Sequence, residues 1–175
     1  MSTAKRETRT PAPEATGPRA LAGKYLTFVL AQGEYGLSVR KVREIIKLMP
    51  ITTVPHVAPW IKGVINLRGK IIPVVDLRLK FQLPAAEWSD RTCIIVTEVA
   101  TRQTAVPVGI IVDSVSDVLN ISDEEFEATP DFGDQSVSAH FEGLAKIKGT
   151  VKIILNLDHV CDGVGETATW APSVA

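Results

Sequence analysis

GVINLRGKIIPVVDL at residues 63–77 is written a second time, as GLAKIKGTVKIILNL at 143–157. The offset is 80 residues, and it places Gly63 on Gly143, Arg68 on Lys148, Gly69 on Gly149 and Leu77 on Leu157. In each copy two apolar, β-rich runs flank a basic residue and a glycine. That is the pattern of a β-hairpin, with Gly69 and Gly149 supplying the positive φ of a tight turn. Upstream lies a second echo, GLSVRKVREII at 36–46 on GIIVDSVSDVL at 109–119, at an offset of 73. It matches Gly36 with Gly109, Val42 with Val115 and Glu44 with Asp117. Repetition of this kind implies two related substructures packed as a pair, with a groove between them.

Working outward, YLTFVLA at 25–31 reads as a strand, Gly33–Gly36 brackets a turn, and YGLSV leads into a second strand. RKVREIIKL at 40–48, with apolar residues at 42, 45, 46 and 49, predicts a helix ended by Pro50. Pro55 and Pro59 make the next stretch a connector. DLRLKF at 76–81 is one helical turn with Asp76 as its N-cap. TCIIVTEV, TAVPVGIIV and VSDVLNI are further strands, and Ser122 with Glu125 forms a capping box that opens an ordered acidic loop, 122–140, with one short helix. Residues 1–22 read as a disordered tail, 23–161 as the folded unit and 162–175 as a loose tail. The class is all-β, with about ten short strands and a few short helices.

Of the 175 residues, 45% are hydrophobic and 22% charged, and the formal net charge is −1. That balance and only ten aromatic residues argue against an oligonucleotide-binding barrel, which needs a basic groove with exposed rings. No apolar run reaches the roughly 18 residues of a membrane span, and Lys5, Arg6, Arg9 and Arg19 precede no apolar core of a secretory signal. Cys93 and Cys161 sit in apolar contexts and read as small buried hydrophobes.

Catalytic chemistry is not suggested. His56, His140 and His159 stand apart without metal-ligand spacing, and neither a glycine-rich phosphate loop nor a nucleophile elbow is present. No cofactor and no metal are expected. Asn66, Arg68 and Asp76 are the polar residues that interrupt an apolar hairpin. Capping accounts for Asp76. Arg68 is either a plain turn residue or a contact, and a guanidinium on a hairpin tip suits a partner's carboxylate or helix C-terminus. Val42 fits a packed face and Glu44 a solvated one.

These segments resemble the CheW family of bacterial chemotaxis coupling proteins. The resemblance rests on YGLSVRKVREI at 35–45, VPHVAPWIKGVINLRGKIIPVVDLRLKF at 54–81, VGIIVDSVSDVL at 108–119 and GLAKIKGTVKIILNLD at 143–158. It implies two five-stranded β-barrel subdomains, intertwined and related by internal duplication, with no enzyme activity. It implies an adaptor joining the cytoplasmic tip of methyl-accepting chemoreceptors to the histidine kinase CheA through the kinase's CheW-like regulatory domain, with further ring contacts between adaptor copies. The setting would be cytoplasmic, recruited to the inner face of the membrane through receptor arrays, without membrane insertion or nucleic acid. By matched positions, its receptor-binding groove is formed by Val42, Glu44, Gly63, Arg68, Cys93, Val115, Val118 and Gly143.

Overall fold

A computed structural model describes residues 22–101, 104–127, 133 and 139–164. The tails at 1–21 and 165–175, and most of the acidic loop (128–132 and 134–138), lie outside the described residues. The strands are β1 (Gly23–Leu30), β2 (Gly33–Ser38), β3 (Val42–Lys47), β4 (Ile61–Leu67), β5 (Lys70–Asp76), β6 (Cys93–Ala100), β7 (Ala105–Val112), β8 (Ser114–Ile121), β9 (Phe126–Glu127), β10 (Phe141–Ile147) and β11 (Thr150–Leu155). Two single-turn helices, α1 (Leu77–Lys80) and α2 (Leu157–Val160), follow the two repeated hairpins.

The strands form two sheets, ordered β8-β1-β2-β11-β10-β9 and β3-β6-β7-β5-β4. The expected barrels are present as these two sheets, neither of which closes on itself. The 80-residue echo is kept down to single pairings: Gly63 faces Val74 beside a bulge in the β4–β5 hairpin, and Gly143 faces Ile154 beside one in the β10–β11 hairpin. Both turns use two successive left-handed residues, Arg68 and Gly69 at φ 52° and 86°, Lys148 and Gly149 at 50° and 78°. That is the two-residue turn whose twist matches the flanking strands. Asp76 caps α1 by accepting from the Arg78 N–H at 2.9 Å, and Asn156 is the N-cap of α2.

The 73-residue echo gives the intertwining. β2 lies in one sheet, but β3, which follows it, pairs with β6 in the other. β7 lies in that second sheet, and β8 crosses back to pair with β1. The echoed glycines sit at the parallel contacts, Gly36 opposite Ile154 and Gly109 opposite Val74. A methyl group on Gly36 would meet the Ile154 side chain at 2.7 Å, and one on Gly109 the Ile94 side chain at 2.8 Å. Close approach of a neighbouring strand's side chain, across the parallel pair at Gly36 and from antiparallel β6 at Gly109, therefore accounts for both glycines.

Three apolar clusters follow. Ile65, Ile72, Val74, Ile94, Val96 and Ile111 fill the five-stranded sheet's interior, and Tyr25, Ile121, Ala145 and Ile154 that of the six-stranded one. The largest joins the sheets and includes Phe28, Leu37, Ile95, Ile110, Leu77 and Leu157.

Three sequence readings need correction. Residues 40–48 are not a helix; a 3₁₀ turn at Val39–Lys41 runs into β3. Strand pairing to β6 outweighs an apolar spacing that β-branched Val42, Ile45 and Ile46 satisfy equally well in a strand. The first hairpin turns at Ala31, with φ 54°, before Gly33 begins β2. The ordered core continues past 161, because Val164 is buried in the central cluster.

Two ion pairs mark where the crossing strands leave their sheets. Between β7 and β8, Asp113 accepts from the Arg78 Nε at 2.8 Å and from the Ala31 N–H at 2.7 Å. Just before β3, the Lys41 Nζ donates to Asp158 of α2 at 2.9 Å, and Asp158 also accepts from the Ala100 N–H at 2.9 Å. Burial alone raises the Asp113 carboxyl, but the hydrogen bonds from Arg78 and Ala31 outweigh it and hold it below its ordinary value. A depressed folded-state pKa stabilises above the unfolded-state pKa and stops doing so as pH falls through the folded value. Asp113→Asn should therefore cost about 2 kcal/mol at neutral pH by leaving Arg78 poorly paired. Urea denaturation should show the gap to wild type narrowing below roughly pH 4. Equal stability of the two proteins at pH 7 would refute this role.

Candidate functional site: an open seam in the five-stranded sheet

The five-stranded sheet ends on β3 at one edge and β4 at the other, so its mouth is open between them. The Arg68 guanidinium, on the β4–β5 tip, spans that seam to Glu44 on β3, with Nη1 to Oε1 at 2.8 Å and Nη2 to Oε2 at 2.9 Å. The hydrogen bonds from Arg68 hold the Glu44 carboxyl below its ordinary pKa, so the pair stays charged through the neutral range. Asn66 fixes the tip, its Oδ1 accepting from the Gly69 N–H at 2.9 Å. The turn thus presents Arg68 in one direction.

A groove of about 570 Å³ lies beneath the pair. Leu67, Ile72 and Val96 make its apolar floor, and Arg43, Glu98 and Lys70 stand on its rim. Arg43 pairs with Glu98 across β3 and β6. A bulge between Val42 and Glu44 is what lets neighbouring residues 43 and 44 each reach a partner along this edge.

The predicted site residues fall into distinct places. Glu44 and Arg68 come together directly. Val42, Cys93 and Val115 pack against the central cluster, and the backbone of Val115 hydrogen-bonds the Cys93 thiol, whose pKa burial pushes up. Val118 is half exposed on β8, an edge strand. Gly63 and Gly143 are buried at the two equivalent bulges, one in each sheet, and so act on the backbone. At Gly63, φ is 145° and a Cβ would sit 2.0 Å from the Thr52 carbonyl oxygen. Thr52 and Val64 exchange backbone hydrogen bonds there, both at 2.9 Å. Reading the sequence missed Arg43, Glu98 and Lys70 as rim residues. Glu98 alone left a signal, as the acid inside the apolar run TCIIVTEV.

Among the described residues no group of three or more His, Cys, Asp or Glu is placed to hold a metal. Cys161 is buried and its thiol is pushed up to about 12, which leaves it unreactive. Among the described residues no helix is long and apolar enough to cross a membrane.

Two glycines of the first hairpin should separate turn strain from collision. Gly69 has open space around it, so Gly69→Ala should cost only the strain of positive φ, about 1 kcal/mol. Gly63→Ala should cost roughly 3 kcal/mol, because backbone must move. Chemical denaturation of both variants checks the order, and a milder effect at 63 than at 69 would contradict the bulge geometry.

Comparison with known proteins agrees with this architecture. Residues 24–164 match the CheW-like domain family. The chemotaxis protein CheW of Bacillus subtilis is 37% identical over 139 residues, covering 79% of this chain and 86% of that protein. The chemotaxis protein CheW of Rhizobium meliloti is 36% identical over 135 residues, covering 77% and 84%. The crystal structure of the scaffolding protein TtCheW from Thermoanaerobacter tengcongensis superposes with a TM-score of 0.71 at 34% identity, over 83% of this chain and 97% of that one. The chain belongs to the CheW-like domain family.

Proposed function

We propose that this chain is a non-catalytic adaptor that couples methyl-accepting chemoreceptors to the histidine kinase CheA. One face takes the receptor's cytoplasmic tip, and another takes the kinase's CheW-like regulatory domain. The observation that carries the receptor side is the Glu44–Arg68 pair over an apolar floor at the open seam. An exposed guanidinium held in a fixed direction beside apolar surface is binding chemistry. Of the other expected groove residues, Val42, Cys93 and Val115 pack against the central cluster, Gly63 sets the backbone of the β4–β5 hairpin, and Gly143 and the exposed Val118 belong to the six-stranded sheet. Curated relatives carry the name chemotaxis protein, and a solved relative is described as a scaffolding protein, which supports the adaptor reading. It would act in the cytoplasm, brought to the inner face of the membrane by the receptors.

Arg68→Ala should leave the melting temperature unchanged, because its side chain is 74% exposed and packs no core. Its affinity for a receptor-tip fragment should fall roughly ten- to a hundredfold, the scale of a hydrogen bond to a charged group. Its affinity for the kinase regulatory domain should hold. Separate titrations against the two partners decide the matter, and an equal loss to both would sink the assignment of Arg68 to the receptor face.

A further inference from the structure

We infer that the Glu44–Arg68 pair recognises an uncharged oxygen acceptor on the receptor tip, such as a helix-end carbonyl or a side-chain amide, and not a carboxylate. This rests on the receptor-binding reading above and names the chemistry that site selects.

The argument begins with charge. A free arginine at a groove attracts carboxylates, but here the guanidinium already meets both oxygens of Glu44. A partner carboxylate placed against Arg68 would also lie against Glu44, and the repulsion would offset the attraction. The rim is balanced in the same way, since Arg43 is neutralised by Glu98. Lys70 is the rim cation with no ion pair among the described residues. A carboxylate entering the groove would be drawn to Lys70 and away from the paired guanidinium.

Donor geometry comes next. A guanidinium carries five N–H donors, and two are used on Glu44. The remaining donors stay available, on a group 74% exposed in its side chain. Asn66 locks the turn and Glu44 locks the plane of the guanidinium, so those donors are aimed before any partner arrives. Pre-aimed donors on a locally neutral site fit carbonyl oxygens, which accept without adding charge. Glu44 is thus a positioning residue for Arg68.

The test is the salt dependence of one substitution. Wild type and Arg68→Gln are titrated against a recombinant receptor-tip fragment at about 0.05 M and about 0.5 M NaCl, where screening lengths differ roughly threefold. The expected result is a roughly tenfold weakening by Arg68→Gln that is the same at both salt concentrations. A penalty that shrinks severalfold at high salt would mean that Arg68 faces a carboxylate, which overturns the inference while leaving the receptor-binding reading intact. No penalty at either salt would remove Arg68 from the interface, which overturns the reading itself. Equal melting temperatures for the two proteins ensure that the comparison concerns binding.

Discussion

Two ion pairs of opposite polarity fix where the chain crosses between sheets, and the rest of the structure depends on that crossing. The 80-residue echo places Arg78 on Asp158. Arg78 of α1 meets Asp113 just after β7, and Asp158 of α2 meets Lys41 just before β3. Each pair pins the exit of a crossing strand to the helix that follows the neighbouring hairpin. Duplicated halves carry a hazard, because a segment can dock on the wrong copy of its partner. Here the wrong docking would set Lys41 against Arg78 and Asp113 against Asp158, with like charges at partly buried sites. Reversing the sign in one half makes the correct pairing the attractive one. Asp113 and Asp158 each also take a backbone N–H near the end of a strand in the opposite sheet, from Ala31 and Ala100. One carboxylate therefore fixes two chain segments at each junction.

The crossing also explains where the core lies. Among the described residues the central cluster holds seventeen buried residues, against six and four in the two sheet interiors, so most of their apolar burial belongs to neither half alone. β1, β2, β6 and β7 have one face in that shared core. Neither half could keep its strands buried without the other. Gly36 and Gly109 belong to the same constraint, because the second face of β2 and β7 must admit the side chains of Ile154 and of Val74 and Ile94 at close range. A rigid frame of this kind is what lets a hairpin tip hold one arginine in one direction.

The repeated hairpins, the caps at Asp76 and Ser122 and the left-handed turn at Gly69 were legible because each is a local rule acting within a few residues. β3 was misread because Val42, Ile45 and Ile46 suit either period. The cure lay in the sequence, since residues 109–119 read as strand and 36–46 are their echo. Intertwining came only from the family resemblance, for no spacing says which sheet a strand will join. The Glu44–Arg68 contact was out of reach for a similar reason. Both residues stood out singly, but 24 positions separate them, and only the open edge between β3 and β4 brings them together.

The two halves share a backbone more closely than they share a surface. The second hairpin repeats the first turn by turn, yet Lys146 stands where Asn66 locks the first tip, and Lys148 replaces Arg68. Lys152 replaces Ile72 and is buried against Glu34, so a charged pair sits where the first half has an apolar floor. The edges differ as well. Leu144 of β10 and its neighbour Ala145 are paired with β9, whereas the equivalent Val64 of β4 meets a single residue, Thr52. The first half keeps a less covered edge, an apolar floor and a locked arginine together. Duplication thus supplied one scaffold twice, and the two copies differ most where the seam stays open.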